Sequence, residues 1–331
     1  MTLAQYFEKQ NNKIICKLCP RECSLHDGQT GSCQIRTNIN NELRALTYGK
    51  FCSLGIDPIE KKPLYHFYPN QKILSLGSMG CNFHCHHCQN WEISQPHRTT
   101  NRPVLSEIKV EEIIDKARNN NLKLVAFTYN EPLIQIETLL EYLPKLQEAG
   151  IKTVLVTNLY INQGPLKAVL PFVDALSIDI KAFNEKNYQT LTTAKALKII
   201  KANIILCYQS GKHIELVSNL VADINDNLDE LTETAKWINS VSPNIPWHIT
   251  SFYPTFEYSN KQPLSSTFLN KLDSSKKSFP LNYVYTRFEQ NTHCPNCQQT
   301  IIARNRFEVT EMQSSNTCPY CQKEVPYLHV C

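Results

Sequence analysis

The sequence predicts an α/β protein: a partial (β/α)6-type barrel with an N-terminal Cys-rich segment and a C-terminal zinc-ribbon-like module. Three observations carry this. Apolar runs of strand length alternate with helical patterns between residues 73 and 286, which implies βαβ crossovers and a mainly parallel sheet. About six or seven such units fit, short of the eight of a closed barrel. The 14 cysteines are clustered rather than dispersed.

Ile73–Leu76 reads as the first strand and leads into Gly77-Ser78-Met79-Gly80 and a cysteine group. Val110–Asn119 has apolar positions at helical spacing, Leu122–Phe127 reads as a buried strand, and Leu133–Glu148 as a helix stopped by Gly150. Thr153–Val156, Ala175–Ile180, His213–Leu220, Trp247–Phe252 and Tyr283–Thr286 read as further strands. Between them fall helices near Pro165–Leu170, Glu185–Lys201, Leu228–Asn239 and Leu264–Lys276. Residues 1–70 show little periodicity and read as an irregular segment held by metal. The expected units are 1–70, the barrel 71–290 and a small module 291–331.

Composition narrows the function classes. Apolar residues make up 42% and charged residues 19%, as in a globular chain, and the net charge of +4 comes without a Lys/Arg run. Nucleic acid is therefore not indicated. Met1–Lys13 is polar rather than a leader, and no apolar run reaches the roughly 20 residues that span a bilayer, so a cytoplasmic protein off the membrane is expected. Thiols kept reduced there favour metal over disulfides.

Cys81, Cys85 and Cys88 follow the first strand with the spacing C-x3-C-x2-C. Three thiolates on a short loop suit three irons of a [4Fe–4S] cluster and leave the fourth iron open to a substrate. His84, His86 and His87 make a zinc loop the alternative, although zinc favours four ligands in paired spacings.

With Gln89-Asn90 behind it, this spacing resembles the radical S-adenosylmethionine superfamily. The run Asp57–Pro63, Leu64-Tyr65-His66-Phe67, then Gly80 to Gln95, is similar to the AmmeMemoRadiSam-system radical enzymes, relatives of pyruvate formate-lyase-activating enzymes. The resemblance implies a radical SAM barrel with a [4Fe–4S] cluster and S-adenosylmethionine as cofactors. Thr128-Tyr129-Asn130-Glu131-Pro132 resembles the element that receives the methionyl amino group, though Glu131-Pro132 also suits a helix start. Thr157-Asn158 is similar to a Thr-Asn-Gly element near the cofactor. Leu159 replaces its glycine, so a different local turn is expected, since leucine avoids positive φ. Asp179 and Lys181 resemble an Asp-x-Lys element contacting ribose hydroxyls and the carboxylate. His248 in Pro246-Trp247-His248 is a further candidate contact.

The implied reaction is reductive cleavage of S-adenosylmethionine to a 5′-deoxyadenosyl radical that abstracts hydrogen, with a glycyl radical on a partner protein as one outcome. Implied partners are a flavodoxin- or ferredoxin-type reductant and Memo-type or AMMECR-type proteins. A non-catalytic zinc scaffold with a degenerate barrel is the alternative, motivated by the count of nine glycines.

Two cysteine groups flank the barrel. Cys294-x2-Cys297 and Cys318-x2-Cys321 form two knuckles, the pattern of a zinc ribbon or an iron site of the same geometry. Metal is expected there because so short a segment buries little core. Cys16, Cys19, Cys23 and Cys33 supply four more thiols, for Zn2+ or a second cluster used in electron relay. Cys207 reads as a buried thiol, and Cys52 and Cys331 are unassigned.

Overall fold

The computed structural model describes residues 1–313 and 315–330; Cys331 lies outside the described residues. Eight strands form one sheet, each hydrogen-bonded to the next in the chain: β1 (Ser53–Pro58), β2 (Lys72–Gly77), β3 (Leu124–Phe127), β4 (Lys152–Thr157), β5 (Ala175–Asp179), β6 (His213–Leu220), β7 (Trp247–Ser251) and β8 (Val284–Tyr285). β2 to β8 run parallel, and β1 pairs antiparallel with β2. β3 is buried along its whole length and β4, β5 and β6 nearly so, as expected for parallel strands covered on both faces.

Helices α1 (Val110–Asn119), α2 (Ile136–Glu148), α3 (Gln163–Val169), α4 (Glu185–Thr192), α5 (Leu197–Gln209), α6 (Leu228–Val241) and α7 (Ser266–Ser275) fall between the strands. Several start on side-chain caps. Asn227 Oδ1 accepts from the N–H groups of Asp229 and Glu230 at α6, and the Ser265 hydroxyl accepts from Phe268 N–H at α7. The single helix expected over 185–201 is in fact two. Thr193 takes a left-handed conformation at φ +61° and closes α4, a break no glycine or proline announced.

The irregular N-terminal segment is also corrected. Thr2–Leu3, Glu42–Ala45 and Arg36–Ile39 form one antiparallel sheet, and Phe7–Gln10, Lys13–Cys16 and Ser24–Leu25 another. Such short strands leave no readable period. Their turns were the available clue: Asn11, Asn40 and Asn41 sit at positive φ between paired strands, as hairpin turns require. β1, inside residues 1–70, belongs to the main sheet. A buried ion pair ties this region to the barrel. Arg36 donates to both carboxylate oxygens of Glu137 on α2 at 2.9 and 3.1 Å.

The C-terminal region carries its own antiparallel sheet of Thr292–His293, Thr300–Asn305 and Glu308–Met312. It is fastened to the barrel through the loop at Leu64–Tyr68. Glu215 on β6, 0% exposed, accepts from the backbone N–H groups of Tyr65 and His66 and from the Nε2 atoms of His213 and His248, all within 3.0 Å. From the other side Arg304 donates to the Tyr65 carbonyl at 2.7 Å and lies over the Tyr65 ring.

This clamp predicts acid lability. Burial drives the His66 imidazole down to about 3. Burial alone would raise Glu215, but its hydrogen bonds from His213 and His248 hold it well below the usual carboxylate range. Both groups are depressed in the fold, so both give stability that is present at neutral pH and lost on acidification. His66 acts from about pH 6.5 downward and Glu215 below about 4.5. Denaturant midpoints should fall as pH drops from 7 to 4, by up to about 1.4 kcal/mol per unit for a single group. A flat profile over that range would remove His66 from this account.

Candidate active site

The ends of parallel strands leave unpaired backbone and open loops, so the C-terminal edge of β2 to β5 is where a site can form. A cavity of about 380 Å³ lies there. Its walls include Cys81, Cys85 and Cys88 from the loop after β2, Tyr129, Asn130 and Glu131 after β3, Thr157 at the end of β4 with Asn158 beyond it, and Asp179 at the end of β5 with Lys181 beyond it.

Backbone contacts hold the cysteine loop. The N–H groups of His84 and His86 donate to the carbonyls of Thr192 and Leu191. The end of α4 thus supplies acceptors that a longer helix would have consumed, which gives the break at Thr193 a purpose. Gly80 sits at φ +91°, and a Cβ there would lie 2.4 Å from the Cys33 carbonyl oxygen, so no side chain fits.

Burial pushes all three thiols up, Cys81 well above the usual range and Cys85 to about 12, and nearby negative groups add to the effect at Cys81. Metal binding would therefore release protons. Two of the three histidines of the motif are engaged elsewhere. His84 Nε2 meets Ser32, and His86 pairs with Glu257. His87 is buried, and its Nδ1 has no hydrogen-bond partner among the described residues.

Glu131 organises the adjoining wall. It is 1% exposed and accepts from Thr157 Oγ1 at 2.7 Å, Asn158 N–H at 2.7 Å and Leu133 N–H at 3.0 Å. Burial raises its carboxyl to about 7 against the pull of those donors. Asn158 Nδ2 reaches Cys81 Sγ at 3.7 Å and Asn82 Oδ1 at 3.0 Å, joining this wall to the cysteine loop.

The turn after Thr157 corrects an expectation. Leu159 adopts φ +57° although it is not glycine, so the left-handed turn is kept. Its N–H donates to Thr157 Oγ1, its carbonyl accepts from Asn203, and its side chain is wholly buried. Burying leucine outweighs a left-handed cost of roughly 1–2 kcal/mol. Leu159→Gly should therefore destabilise, by about 2 kcal/mol net, because losing the side chain costs about 2–5 kcal/mol. An increase in the unfolding midpoint would show that backbone strain dominates instead.

Lys181 pairs with Asp179 at 2.7 Å. Burial opposes its charge, but Asp179 and the thiols Cys85 and Cys88 hold the ammonium above its ordinary range. Two of the expected site residues are not brought to this cavity. Pro132 is buried within the 3-10 turn Pro132–Gln135. His248, at the start of β7, faces the Glu215 clamp and borders a different cavity. A strand start lies at the opposite end from the site.

Thr128, from the expected element, also lines the cavity, and Lys61, Lys62, Phe83, Gln89, Asn90, Ser94 and Val156 add walls that were not expected there. Asp57 backs this group, bonding Lys62 Nζ at 2.8 Å and Tyr129 OH at 3.0 Å. Burial would raise Asp57, yet Lys62 and Tyr129 bring it down to about 2. The Asp57–Lys62 spacing was the available signal.

At the other end of the chain, Cys294, Cys297, Cys318 and Cys321 bring their sulfurs within 4.8 Å of one another, the only such group among the described residues. Cys294–Cys321 and Cys297–Cys318 stand 3.7 and 3.6 Å apart, close to the roughly 3.8 Å edge of a tetrahedron with metal–sulfur bonds of about 2.3 Å. The knuckles match: Gln298 N–H donates to the Cys294 carbonyl and Gln322 N–H to that of Cys318.

Comparison with known proteins adds to this geometry. The profile of the radical SAM superfamily matches residues 76–238. The "Uncharacterized protein MJ0808" of Methanocaldococcus jannaschii is 36% identical, over 98% of this chain and 99% of its own. A pyruvate formate-lyase-activating enzyme of Listeria monocytogenes is 25% identical, over 56% of this chain and 79% of its own. Among solved structures, Streptococcus suis SuiB bound to S-adenosylmethionine aligns at a TM-score of 0.50 and 14% identity, covering 69% of this chain and 52% of that one, a likeness of fold.

Proposed function

Because the chain belongs to the radical SAM superfamily, we propose that Cys81, Cys85 and Cys88 hold a [4Fe–4S] cluster and that the cavity beside them receives S-adenosylmethionine. The single observation behind this is three half-buried thiols opening on one cavity with Glu131, Asn158, Asp179 and Lys181. Among the described residues no three Cys, His, Asp or Glu donors there come within 4.8 Å of one another. That fits thiolates on separate irons better than one zinc ion. When bound, the pair supplies reductive cleavage of the sulfonium C5′–S bond to methionine and a 5′-deoxyadenosyl radical.

The chain's own residues then bind and position. Lys181, charged and half-buried, is placed to neutralise a carboxylate. Asp179 offers carboxylate oxygens to hydroxyl groups. Glu131 fixes the loops after β3 and β4 in register and sets the acidic wall beside Cys81. Tyr129, held by Asp57 and with Lys62 over its ring, shapes the mouth.

Relatives include pyruvate formate-lyase-activating enzymes, and generation of a glycyl radical on a partner protein, with electrons from a flavodoxin- or ferredoxin-type donor, is the outcome this reading favours. Placement in the AmmeMemoRadiSam system, with Memo-type and AMMECR-type partners, rests on local sequence resemblance alone. The C-terminal thiols we assign to structural Zn2+, in keeping with their tetrahedral spacing.

The test is anaerobic turnover of reconstituted protein with S-adenosylmethionine and dithionite. Release of 5′-deoxyadenosine and methionine in equal amounts is expected. A protein that fills with zinc and takes up no labile sulfide would return the chain to the scaffold reading.

A further inference from the structure

Cys16, Cys19, Cys23 and Cys33 come together in the fold, lining one cavity with Arg21, Arg36, Asn82 and Ile134. Cys16 and Cys33 are buried, and Cys19 and Cys23 half-buried. We propose that this cavity binds a second iron–sulfur cluster, a [4Fe–4S] cube with one of these thiolates on each iron.

Two observations separate this site from the C-terminal one. The first is span. No three of these four sulfurs lie within 4.8 Å of one another, whereas all four C-terminal sulfurs do. A single tetrahedral ion draws its ligands to about 3.8 Å. A cube spreads them, because each thiolate binds a different corner. Thus one chain holds two tetracysteine sets, one gathered within reach of a single ion and one more widely spaced.

The second is an unanswered donor. Arg36 is 1% exposed, its guanidinium pairs with Glu137 through Nη1, and its Nε–H has no acceptor among the described residues. A buried N–H without a partner costs about 1–3 kcal/mol. Arg36 lines the thiol cavity and its charge acts on Cys16 and Cys33, so an anionic group with sulfur acceptors would satisfy it, and a cube ligated by thiolates is such a group.

The site adjoins the central one. Asn82 lines this cavity while Cys81, its chain neighbour, lines the other. Arg21 donates to the Asn82 carbonyl at 2.6 Å, and the Cys33 carbonyl presses on Gly80. This assignment uses none of the central cysteines and stands apart from the proposed reaction.

The experiment uses the full chain carrying Cys81→Ala, Cys85→Ala and Cys88→Ala together, reconstituted anaerobically with iron and sulfide. It should keep roughly half of the wild-type labile sulfide, with a reducible paramagnetic signal that S-adenosylmethionine does not alter. Adding Cys19→Ser and Cys23→Ser should remove that remainder. If the triple variant takes up zinc at these thiols, or loses all labile sulfide, the proposal is overturned. If the triple variant matches wild type in sulfide and only the added serines remove it, this cluster stands and the central one falls. The intact chain gives an answer independent of variant folding: Mössbauer spectra should count about eight cluster irons per chain, and about four would overturn the second site wherever the central cluster responds to S-adenosylmethionine.

Discussion

Cys85→Ala should reduce 5′-deoxyadenosine formation to the level of the protein-free control while leaving the protein folded. The thiol lies in the cavity wall among Cys81, Cys88 and Lys181, and its loop is held by backbone bonds from His84 and His86 to α4. The substitution therefore removes a ligand without removing what shapes the loop. Two thiolates cannot hold three irons of a cube, so the effect is loss of the cofactor rather than a slower step. Labile sulfide and product, measured on the same sample, check this. Persistent product in the variant would show that these cysteines do not carry the chemistry.

The largest expected effect on stability is at Glu215. Glu215→Ala strips four donors of their shared acceptor: the Tyr65 and His66 backbone N–H groups and the rings of His213 and His248. Each orphaned buried donor costs about 1–3 kcal/mol, and removing one member of a buried charged network typically costs about 3–5 kcal/mol. We expect the variant to unfold at markedly lower denaturant, or to be recovered largely insoluble. Glu215→Gln should recover part of the loss, since one carboxamide oxygen can still accept. A variant as stable as wild type would mean the clamp is ornamental.

The contrast with His248 shows what sequence could convey. His248 reads as a site candidate from its local motif, yet its ring serves Glu215, a residue 33 positions earlier. Local sequence carries no record of which end of a strand faces the site until the strand's start is fixed. The alternation of apolar runs located β2 to β8 well because each long element has its own period. The N-terminal sheets have strands of only two to four residues, too short for any period, and only their asparagine turns hinted at hairpins. Cys81, Cys85 and Cys88 were legible because their chemistry is encoded in spacing. Lys61 and Lys62 were not, because they reach the cavity from outside the parallel strands, beside the antiparallel β1. Leu159 was misread for a physical reason: glycine statistics describe the backbone cost alone, and here the buried side chain decides the balance.

The Arg304–Tyr65 bond closes a separation of 239 residues. During synthesis, the loop at Leu64–Tyr68 and β6 emerge long before the residue that pins them from outside. Until then Tyr65 lacks its cover, and Glu215 holds one side of an unfinished joint. Contacts so distant in sequence form late and slowly. The barrel's bottom rim is thus the last part of the chain to become fixed, well after the cysteine loop has its strand and helix in place.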